Sequence, residues 1–315
     1  MSTTRSTSDL PYTVVGGRSI RDPARRTGMA AVVLNRGGRP VRVETIAPFA
    51  ECGADEALVV LGPKPHYEVE QLVARFPTAR FLLLSRDANV GEQINIAVHE
   101  ARCPHVFTLW SDMAPPAVTR RTVTKVDELD SVCVVPLIKN ERNETIPSVH
   151  APAFYRTLFR TVPTLPGSEG ELSLYPYAGT AVFDTERFDR LGGFDPVIRN
   201  PYWQQLDFGV RAYLWGEQIR VLPSLRVQAT RPLPSEDTTP DAGYARFHLK
   251  NLSVRFVRDY GRLPLQQLVP FVMRSGLGVA EGLRQFRDAR AWVSEHRYRY
   301  AQDARRLTEL WEVAE

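Results

Sequence analysis

The sequence predicts an α/β fold, in which a mostly parallel sheet is flanked by helices and followed by a helical extension. Short apolar runs alternate with amphipathic segments over most of the chain, as strands alternate with crossover helices. The runs are continuously apolar, which is typical of parallel strands that are buried on both faces. After Pro264 the composition changes to a charged segment with an apolar residue at every seventh position.

The apolar runs place the predicted strands, and the periodic segments between them place the helices. Strands are predicted at 30–34, 57–61, 80–84, 105–110, 131–137, 177–183 and 221–229. Helices are predicted at 41–50, 67–75, 91–101 and 244–260, the last with a basic face, and 138–176 is expected to be irregular. Ligands of such sheets bind beyond the carboxyl ends of the strands, which points to Asn35, Arg36, Gly62, Ser85, Arg86, Ser111 and Asp112.

Composition narrows the class of protein. The 315 residues carry a net charge of +4, without a Lys/Arg block or zinc-finger spacing, so no nucleic-acid partner is expected. Three scattered cysteines fit a reducing compartment. The polar N-terminal segment lacks an apolar signal sequence, and no apolar run reaches the roughly 18 residues of a membrane span, so a cytoplasmic protein is expected.

The most specific pattern lies late in the chain. It reads Gly-Gly-Phe-Asp at 192–195 and Gln-Gln-Leu-Asp at 204–207, and it leads into a predicted helix that bears Arg211 and stops at Gly216. Upstream, Asn-Val-Gly at 89–91 opens a helix, and Trp-Ser-Asp at 110–112 closes the next strand. This order of motifs, over residues 28 to 262, resembles family 2 glycosyltransferases.

The resemblance implies a GT-A-type, Rossmann-like domain that binds a nucleotide-diphospho-sugar and a divalent cation, Mn²⁺ or Mg²⁺. It implies transfer of the sugar with inversion to a saccharide, lipid-linked or other hydroxyl acceptor, in polysaccharide or glycoconjugate biosynthesis. Asp112 falls on the position of the metal contact. The resemblance assigns donor contacts to Asn35, Arg36, Asn89, Gly91, Asn95, Ser111 and Gly179. Acceptor contacts fall on Asp195, Gln204 and Gln205.

The same alignment of motifs departs from the family at three usually acidic positions, which carry Leu61, Trp110 and Gln205. The family's catalytic base would fall on Gln205, and a carboxamide has no site that titrates usefully. Asp207 is therefore the candidate base in a shifted register, with Asp195 as a substitute. A helix cap at Asp207 and a turn at Asp112 are the structural alternatives for these two carboxylates.

Two other functions stay open from the sequence. The loss of three acidic positions favours a non-catalytic module that binds a nucleotide sugar or serves in assembly. A nucleotidyltransferase shares the sheet type, although the Asn-Arg-Gly-Gly segment at 35–38 is short for its phosphate loop.

The domain organisation follows from these composition changes. Residues 1–27 are predicted to be a polar N-terminal arm, 28–262 the GT-A domain and 263–315 a C-terminal helical extension. In the extension, the seven-residue spacing of Phe286, Val293, Tyr300 and Leu307 predicts one long helix or a helical hairpin. That helix is expected to pack on the domain or form a homodimer, and its basic and aromatic residues allow a peripheral membrane contact.

Overall fold

The strands of the protein, numbered along the chain, alternate with its helices. The computed structural model describes residues 10–17, 28–36, 41–63, 69–155 and 158–308. The described strands are β1 (Tyr12–Gly16), β2 (Met29–Leu34), β3 (Glu56–Leu61), β4 (Arg80–Leu84), β5 (His105–Trp110), β6 (Met113–Ala114), β7 (Cys133–Lys139), β8 (Val149–Tyr155), β9 (Leu158–Thr164), β10 (Ala181–Asp184), β11 (Ile219–Ala229), β12 (Arg255–Val257) and β13 (Tyr260–Arg262). The described α-helices are α1 (Val43–Glu51), α2 (Val69–Arg75), α3 (Val90–Glu100), α4 (Arg120–Glu128), α5 (Thr185–Leu191), α6 (Pro201–Leu214), α7 (Ala242–Phe247), α8 (Leu268–Arg274) and α9 (Val279–Glu295).

Nine of the described strands form one mixed sheet in the order β1-β4-β3-β2-β5-β10-β7-β11-β6. Strands β4, β3, β2 and β5 are parallel to one another, and β11 is parallel to β7. Strand β10 runs antiparallel between β5 and β7, while β1 and β6 close the two edges in antiparallel fashion. This mostly parallel sheet with flanking helices confirms the predicted fold class.

The register between β2 and β5 positions the candidate site. Leu34 pairs with Trp110, so both strands end at the same edge of the sheet. Residues 35–36 and 111–112 therefore leave the sheet side by side, as the carboxyl-end rule predicts. The backbone N–H of Ser111 donates to the carbonyl of Leu34 at 2.9 Å, which joins the two segments where they leave the sheet.

Most predicted strands and helices are present, and their bounds differ from the predicted ones by about two residues or fewer. The exceptions are short elements or elements that depend on contacts between distant parts of the chain. The expected N-terminal arm contains edge strand β1, whose half-exposed residues give a weak apolar signal. The region 138–176 contains the hairpin β8–β9. The predicted helix 244–260 ends early: α7 passes into a π-turn at His248–Leu252, and β12–β13 follow as a hairpin with Arg258 at φ 58°.

The C-terminal residues share a hydrophobic core with the domain that precedes them. Phe286, Val293, Tyr300 and Leu307 are all buried in a cluster that also contains Leu206 of α6 and Phe247 of α7. The seven-residue spacing therefore packs the extension against its own chain, and α9 ends before Tyr300. Trp311, an aromatic residue that follows this series in the sequence, lies outside the described residues. Among the helices described, none is both long and apolar enough to cross a bilayer.

Candidate active site

A cavity of about 350 Å³ opens where β2 and β5 end. Four further segments close around it: the start of α3, the turn before β10, the start of α6 and the loop that follows β11. Polar and aromatic side chains that face it include Arg36, Asn89, Trp110, Tyr177, Gln205 and Glu236. A concave site of this size with converging polar groups is typical of a small-ligand site.

Arg36 is held between an aromatic ring and a carboxylate at the end of the two central strands. Its guanidinium carbon lies 4.4 Å from the centroid of the Trp110 ring, within cation–π range. Its Nε lies 3.8 Å from Oδ1 of Asp112. The Trp110 indole N–H in turn donates to the carbonyl of Ala178 at 2.7 Å, which fixes the ring.

The predicted metal contact, Asp112, faces a second cavity of about 540 Å³, which Ser111, Arg42 and Arg231 also line. Hard divalent cations take six or more oxygen ligands, and Mg²⁺ is usually held by one or two carboxylates together with water and substrate phosphates. In the described ranges there is no cluster of three His, Cys, Asp or Glu residues that could hold a metal. Asp112 and Glu44 both line this cavity, and the carboxylate of Asp112 also faces the guanidinium of Arg36.

The two glutamines of α6 have different environments. Gln204 is fully buried, accepts from the N–H of Gly91 at 2.8 Å, and donates to Oδ1 of Asn89 and the carbonyl of Asp195, both at 2.9 Å. Gln205 faces the cavity and accepts from the N–H of Gly179 at 3.0 Å. Gln204 thus joins α3 to α6, and Gln205 holds the turn that carries Tyr177.

Asp207 does not reach the cavity. It lies inside α6 instead of ahead of it, because the helix begins earlier than predicted, at Pro201 after the cap Asn200. The carboxylate is fully buried and accepts from Nη2 of Arg211 at 3.0 Å, Nδ2 of Asn251 at 2.8 Å and Nζ of Lys250 at 3.2 Å. Three partners and no access to the cavity favour a structural role for Asp207 over that of a base.

Asp195, the substitute base, belongs to the same buried cluster. Its Oδ2 lies 2.7 Å from both Nζ of Lys250 and Nε of Arg246. Burial alone would raise the pKa of Asp195, but the two cations outweigh it and hold that pKa well below its usual range. Burial lowers the pKa of Lys250, which belongs to the basic face of the helix predicted at 244–260 but is buried in the fold. A carboxylate in two ion pairs is a poor proton acceptor.

The start of α3 is built around backbone contacts. Asn89 caps the helix in a capping box with Glu92, and its side chain lines the cavity. Asn95 is buried and pairs with both the N–H and the carbonyl of Phe194, each at 2.8 Å. Asn95 therefore anchors the 192–195 turn against α3.

Glu236, which no sequence motif marks, lies in the loop between β11 and α7. Its Oε2 accepts from the hydroxyl of Tyr175 at 2.8 Å and lies 3.9 Å from Nε2 of His150. Its Oε1 is buried and has no hydrogen-bond partner among the described residues. Burial raises the pKa of Glu236 from 4.5 to about 7. The only signal in the sequence is the acidic character of residues 232–240, which gives no hint of the tyrosines that surround the carboxylate.

The structure thus brings four predicted site residues to the main cavity: Asn35, Arg36, Asn89 and Gln205. It places Ser111 and Asp112 on the adjoining cavity. The other six predicted site residues do not line either cavity: Gly91, Asn95, Gly179, Asp195, Gln204 and Asp207. Their hydrogen bonds and packing position the residues that do.

Solved structures identify the architecture. GalNAc-T7, in its crystal structure with UDP, GalNAc and Mn²⁺, superposes with a TM-score of 0.56 at 15% identity over 87% of this chain. The chain has a GT-A fold. It spans a little over half, 57%, of the GalNAc-T7 chain.

A second GT-A structure shows the same arrangement. S. aureus TarS 1-349 in complex with UDP-GlcNAc superposes with a TM-score of 0.50 at 15% identity, covering 83% of this chain and 71% of that one. No family model matches the sequence, and no curated protein matches it significantly. The likeness at this identity is one of fold, and it confirms the GT-A architecture that the motifs indicated.

Proposed function

We propose that the protein is a glycosyltransferase that uses a nucleotide-diphospho-sugar donor and a hydroxyl acceptor, with Glu236 as the proton acceptor. The observation that carries this proposal is a carboxylate with a pKa near 7 that faces the cavity at the carboxyl edge of a GT-A sheet. A general base works best when its pKa lies close to the working pH.

The proposed reaction is a single displacement. The acceptor oxygen attacks the anomeric carbon of the donor sugar, and its proton passes to Oε1 of Glu236. The bond from that carbon to the diphosphate breaks, and the electron pair leaves with the nucleoside diphosphate. Attack opposite the leaving group inverts the configuration through an oxocarbenium-like state. The acceptor class implied by the resemblance, a saccharide or glycoconjugate, is retained in this proposal.

The other carboxylates near the cavity support the assignment to Glu236. Gln205 cannot titrate, and Asp195 and Asp207 are buried in ion pairs. Asp237 also lines the cavity, but it is exposed and hydrogen bonds from Thr239 hold its pKa below its usual value. A carboxylate that binds its proton so weakly is a poorer base than Glu236.

The residues around Glu236 fit the acceptor side of such a site. His150 stacks on Tyr175 with ring centroids 4.2 Å apart, and Tyr177 lies on its other side at 5.8 Å. Burial lowers the pKa of His150 to about 4, so that the imidazole is neutral at pH 7. These neutral rings do not compensate the negative charge of the Glu236 carboxylate, so its pKa stays raised. The rings also offer flat surfaces on which a sugar ring can pack.

Calorimetry with UDP-, GDP- and dTDP-sugars, followed by release of the nucleoside diphosphate, tests the proposal. We expect Glu236→Gln to bind the donor as the wild type does and to lower its turnover by about a hundredfold or more. The matched control, Asp237→Asn, removes a carboxylate from the same loop and should retain turnover. Unchanged turnover in Glu236→Gln would remove Glu236 as the base, and the absence of donor binding would remove the transferase function.

A non-catalytic nucleotide-sugar-binding module is the second candidate. The observation that favours it is the amide of Gln205, which is engaged with the N–H of Gly179 at the place where the family carries its base. Binding of a donor that is never hydrolysed or transferred, in the wild type as in Glu236→Gln, would decide for this alternative. The divalent cation that the resemblance implies would be held at Asp112, the position that the resemblance gives to the metal contact.

A further inference from the structure

We propose that the cavity between β13 and α9 is a binding site for a phosphate group, separate from the candidate active site. The cavity has a volume of about 210 Å³, which exceeds the volume of one water molecule several times. Three arginines line it, Arg262, Arg290 and Arg297, and it has no residue in common with the main cavity. The proposal therefore goes beyond the function proposed above.

Helical spacing brings two of these arginines to the same wall of the cavity. Arg290, Ser294 and Arg297 follow one another at intervals of four and three residues, so they lie on one side at the end of α9. Arg262 comes from the other wall, as the last residue of β13. Two distant parts of the chain thus direct guanidinium groups to one space.

The hairpin β12–β13 is held against the end of α9 by a close contact. A Cβ at Gly261 would lie 2.5 Å from ring atoms of Tyr300, so only glycine lets the strand approach this ring. Tyr300 is buried, and its hydroxyl donates to the carbonyl of Lys250 at 2.9 Å. Leu263 and Val293, which also line the cavity, are buried as well. Packing in the core therefore fixes the distance between the two walls.

The three guanidinium groups have no carboxylate partner among the described residues. Arg297 donates to the hydroxyl of Tyr298 at 2.9 Å, which is a neutral partner. Arg262 and Arg290 form neither an ion pair nor a hydrogen bond within the described ranges. Like charges that face one cavity repel each other, and an anion between them relieves the repulsion. The planar donors of a guanidinium match two oxygens of a phosphate group.

The surrounding segment carries the basic excess of the whole chain. Residues 262–299 contain seven arginines and three acidic residues, an excess of four positive charges, and the net charge of the complete sequence is +4. None of the three acidic residues, Glu281, Asp288 and Glu295, lines the cavity. A basic excess confined to one segment attracts anions to that segment.

Two sources supply a phosphate group, a soluble phosphate compound and the headgroup of an anionic lipid. Large apolar side chains near the cavity favour the lipid: Val269 and Met273 on α8, and Val279 and Leu283 on α9, are 46 to 80% exposed. Leu283 precedes Arg290 by seven residues, so both lie on the same side of α9. Exposed apolar residues beside basic ones are typical of surfaces that bind anionic membranes.

Calorimetry of the purified full-length chain with inorganic phosphate tests the site. We expect the wild type to bind phosphate, and Arg262→Gln and Arg290→Gln each to weaken that binding by about tenfold or more. Arg290→Lys should lie between, since it keeps the charge without the planar donors. Arg287→Gln is the matched control, because Arg287 is exposed on the same helix but does not line the cavity. It should bind within about threefold of wild type.

Sedimentation with vesicles distinguishes the two sources. Vesicles of phosphatidylcholine alone are compared with vesicles of phosphatidylcholine and phosphatidylglycerol in equal parts. A lipid source predicts binding to the anionic vesicles only, weakened by about fivefold or more in Met273→Ser and in Leu283→Ser, with phosphate binding unaltered. Val162→Ser is the control, since it removes an apolar side chain that is 47% exposed on β9. A soluble source predicts phosphate binding without binding to either vesicle.

Three results would overturn the phosphate site. The first is binding of neither inorganic phosphate nor anionic vesicles. The second is binding by Arg262→Gln and Arg290→Gln that matches the wild type in every arm that shows binding, since the anion would then lie elsewhere. The third is an equal loss in Arg287→Gln and Arg290→Gln, since the effect would then be one of general charge. None of these results bears on donor turnover, so the proposed function is tested separately.

Discussion

Lys250 and Asp207 form a buried ion pair, with Nζ 3.2 Å from the carboxylate and almost no solvent contact for either side chain. The cluster around them contains Asp195, Arg211 and Arg246, so it joins α6, the 192–195 turn and the π-turn after α7. These ion pairs set where the polar end of α6 lies relative to the cavity. The carboxylates of this cluster are paired with its cations, so neither Asp195 nor Asp207 is available as a base.

We predict that Asp207→Asn destabilises the fold by about 3 kcal/mol, because it leaves buried cations with one carboxylate fewer. Chemical unfolding measures the change, and calorimetry should find the affinity for the donor unaltered. Glu281→Gln is the control, since it breaks an exposed ion pair with Arg284 and should not change stability measurably. A stable Asp207→Asn variant that has lost only turnover would instead restore Asp207 as the base.

An acidic residue in place of Gln204, the first glutamine of α6, is predicted to destabilise the protein. In Gln204→Glu one oxygen can still accept from Gly91, but the other faces Oδ1 of Asn89 and the carbonyl of Asp195, which are both acceptors. We expect a loss of about 3 kcal/mol from repulsion and the buried charge. Gln204→Leu should cost less than Gln204→Glu, because it removes the hydrogen bonds without adding a charge. The reverse order in urea unfolding would contradict this hydrogen-bond assignment.

The contribution of Glu236 to stability is predicted to fall as the pH rises from about 4.5 to 7. Its pKa is raised in the folded protein to about 7, so the folded state holds the proton more tightly than the unfolded state does. The contribution is fully present below pH 4.5 and is lost as the pH passes through 7. Tyr175 and His150, which face Glu236, keep their charge in the folded protein between pH 5 and 8. His150 contributes to stability in the opposite sense, because its pKa is lowered to about 4 in the folded protein and the unfolded state binds its proton more tightly. The difference between the wild type and Glu236→Gln therefore isolates the effect of Glu236.

Thermal unfolding of the wild type and of Glu236→Gln between pH 5 and 8 measures this effect. The difference between the two proteins should grow in favour of the variant as the pH rises. Turnover should rise over the same range, because the base must be ionised to accept a proton. Parallel stability curves for the two proteins would show that the Glu236 carboxylate is not buried as described.

Gly91 is predicted to be required for packing. A Cβ at this position would lie 2.5 Å from Cβ of Phe194 and 2.6 Å from Cδ of Gln204. Gly91→Ala should therefore destabilise the protein by about 1 to 3 kcal/mol, as overpacked cores do. Gly62→Ala is the matched control, since its Cβ, just after the end of β3, would meet no atom of the described residues within 4 Å. Equal melting temperatures for the two variants would mean that α3 and α6 are not as close as the structure places them.

The elements that the sequence predicted well are those whose signal is local. Strands 80–84 and 105–110 have the predicted bounds, because a buried strand requires an unbroken apolar run. The stop of α6 follows from Gly216, which adopts φ 83° beyond the helix. The pairing of Asp207 with Arg211 also follows from helical spacing alone.

The errors have a common cause in contacts between distant parts of the chain. The local sequence predicts that Lys250 lies on a solvated helix face. In the fold, Lys250 instead forms ion pairs with Asp195 and Asp207. The hairpin β8–β9 is stabilised by pairing between strands, which no local pattern of its prolines reveals. The C-terminal extension packs on α6 and α7 of the same chain, which is one of its two predicted arrangements, but its long helix ends at Glu295 and does not continue to Tyr300 and Leu307.

The sequence by itself determined the order of strands and helices and the edge of the sheet at which a ligand can bind. Both follow from apolar periodicity and from the rule that parallel strands end together. The tertiary structure decided which polar side chains reach that edge. It places Asp207 in a closed ion-pair cluster, Arg36 between Trp110 and Asp112, and Glu236 among aromatic rings. Burial and proximity set the charge and basicity of these groups, and both depend on segments that only folding brings together.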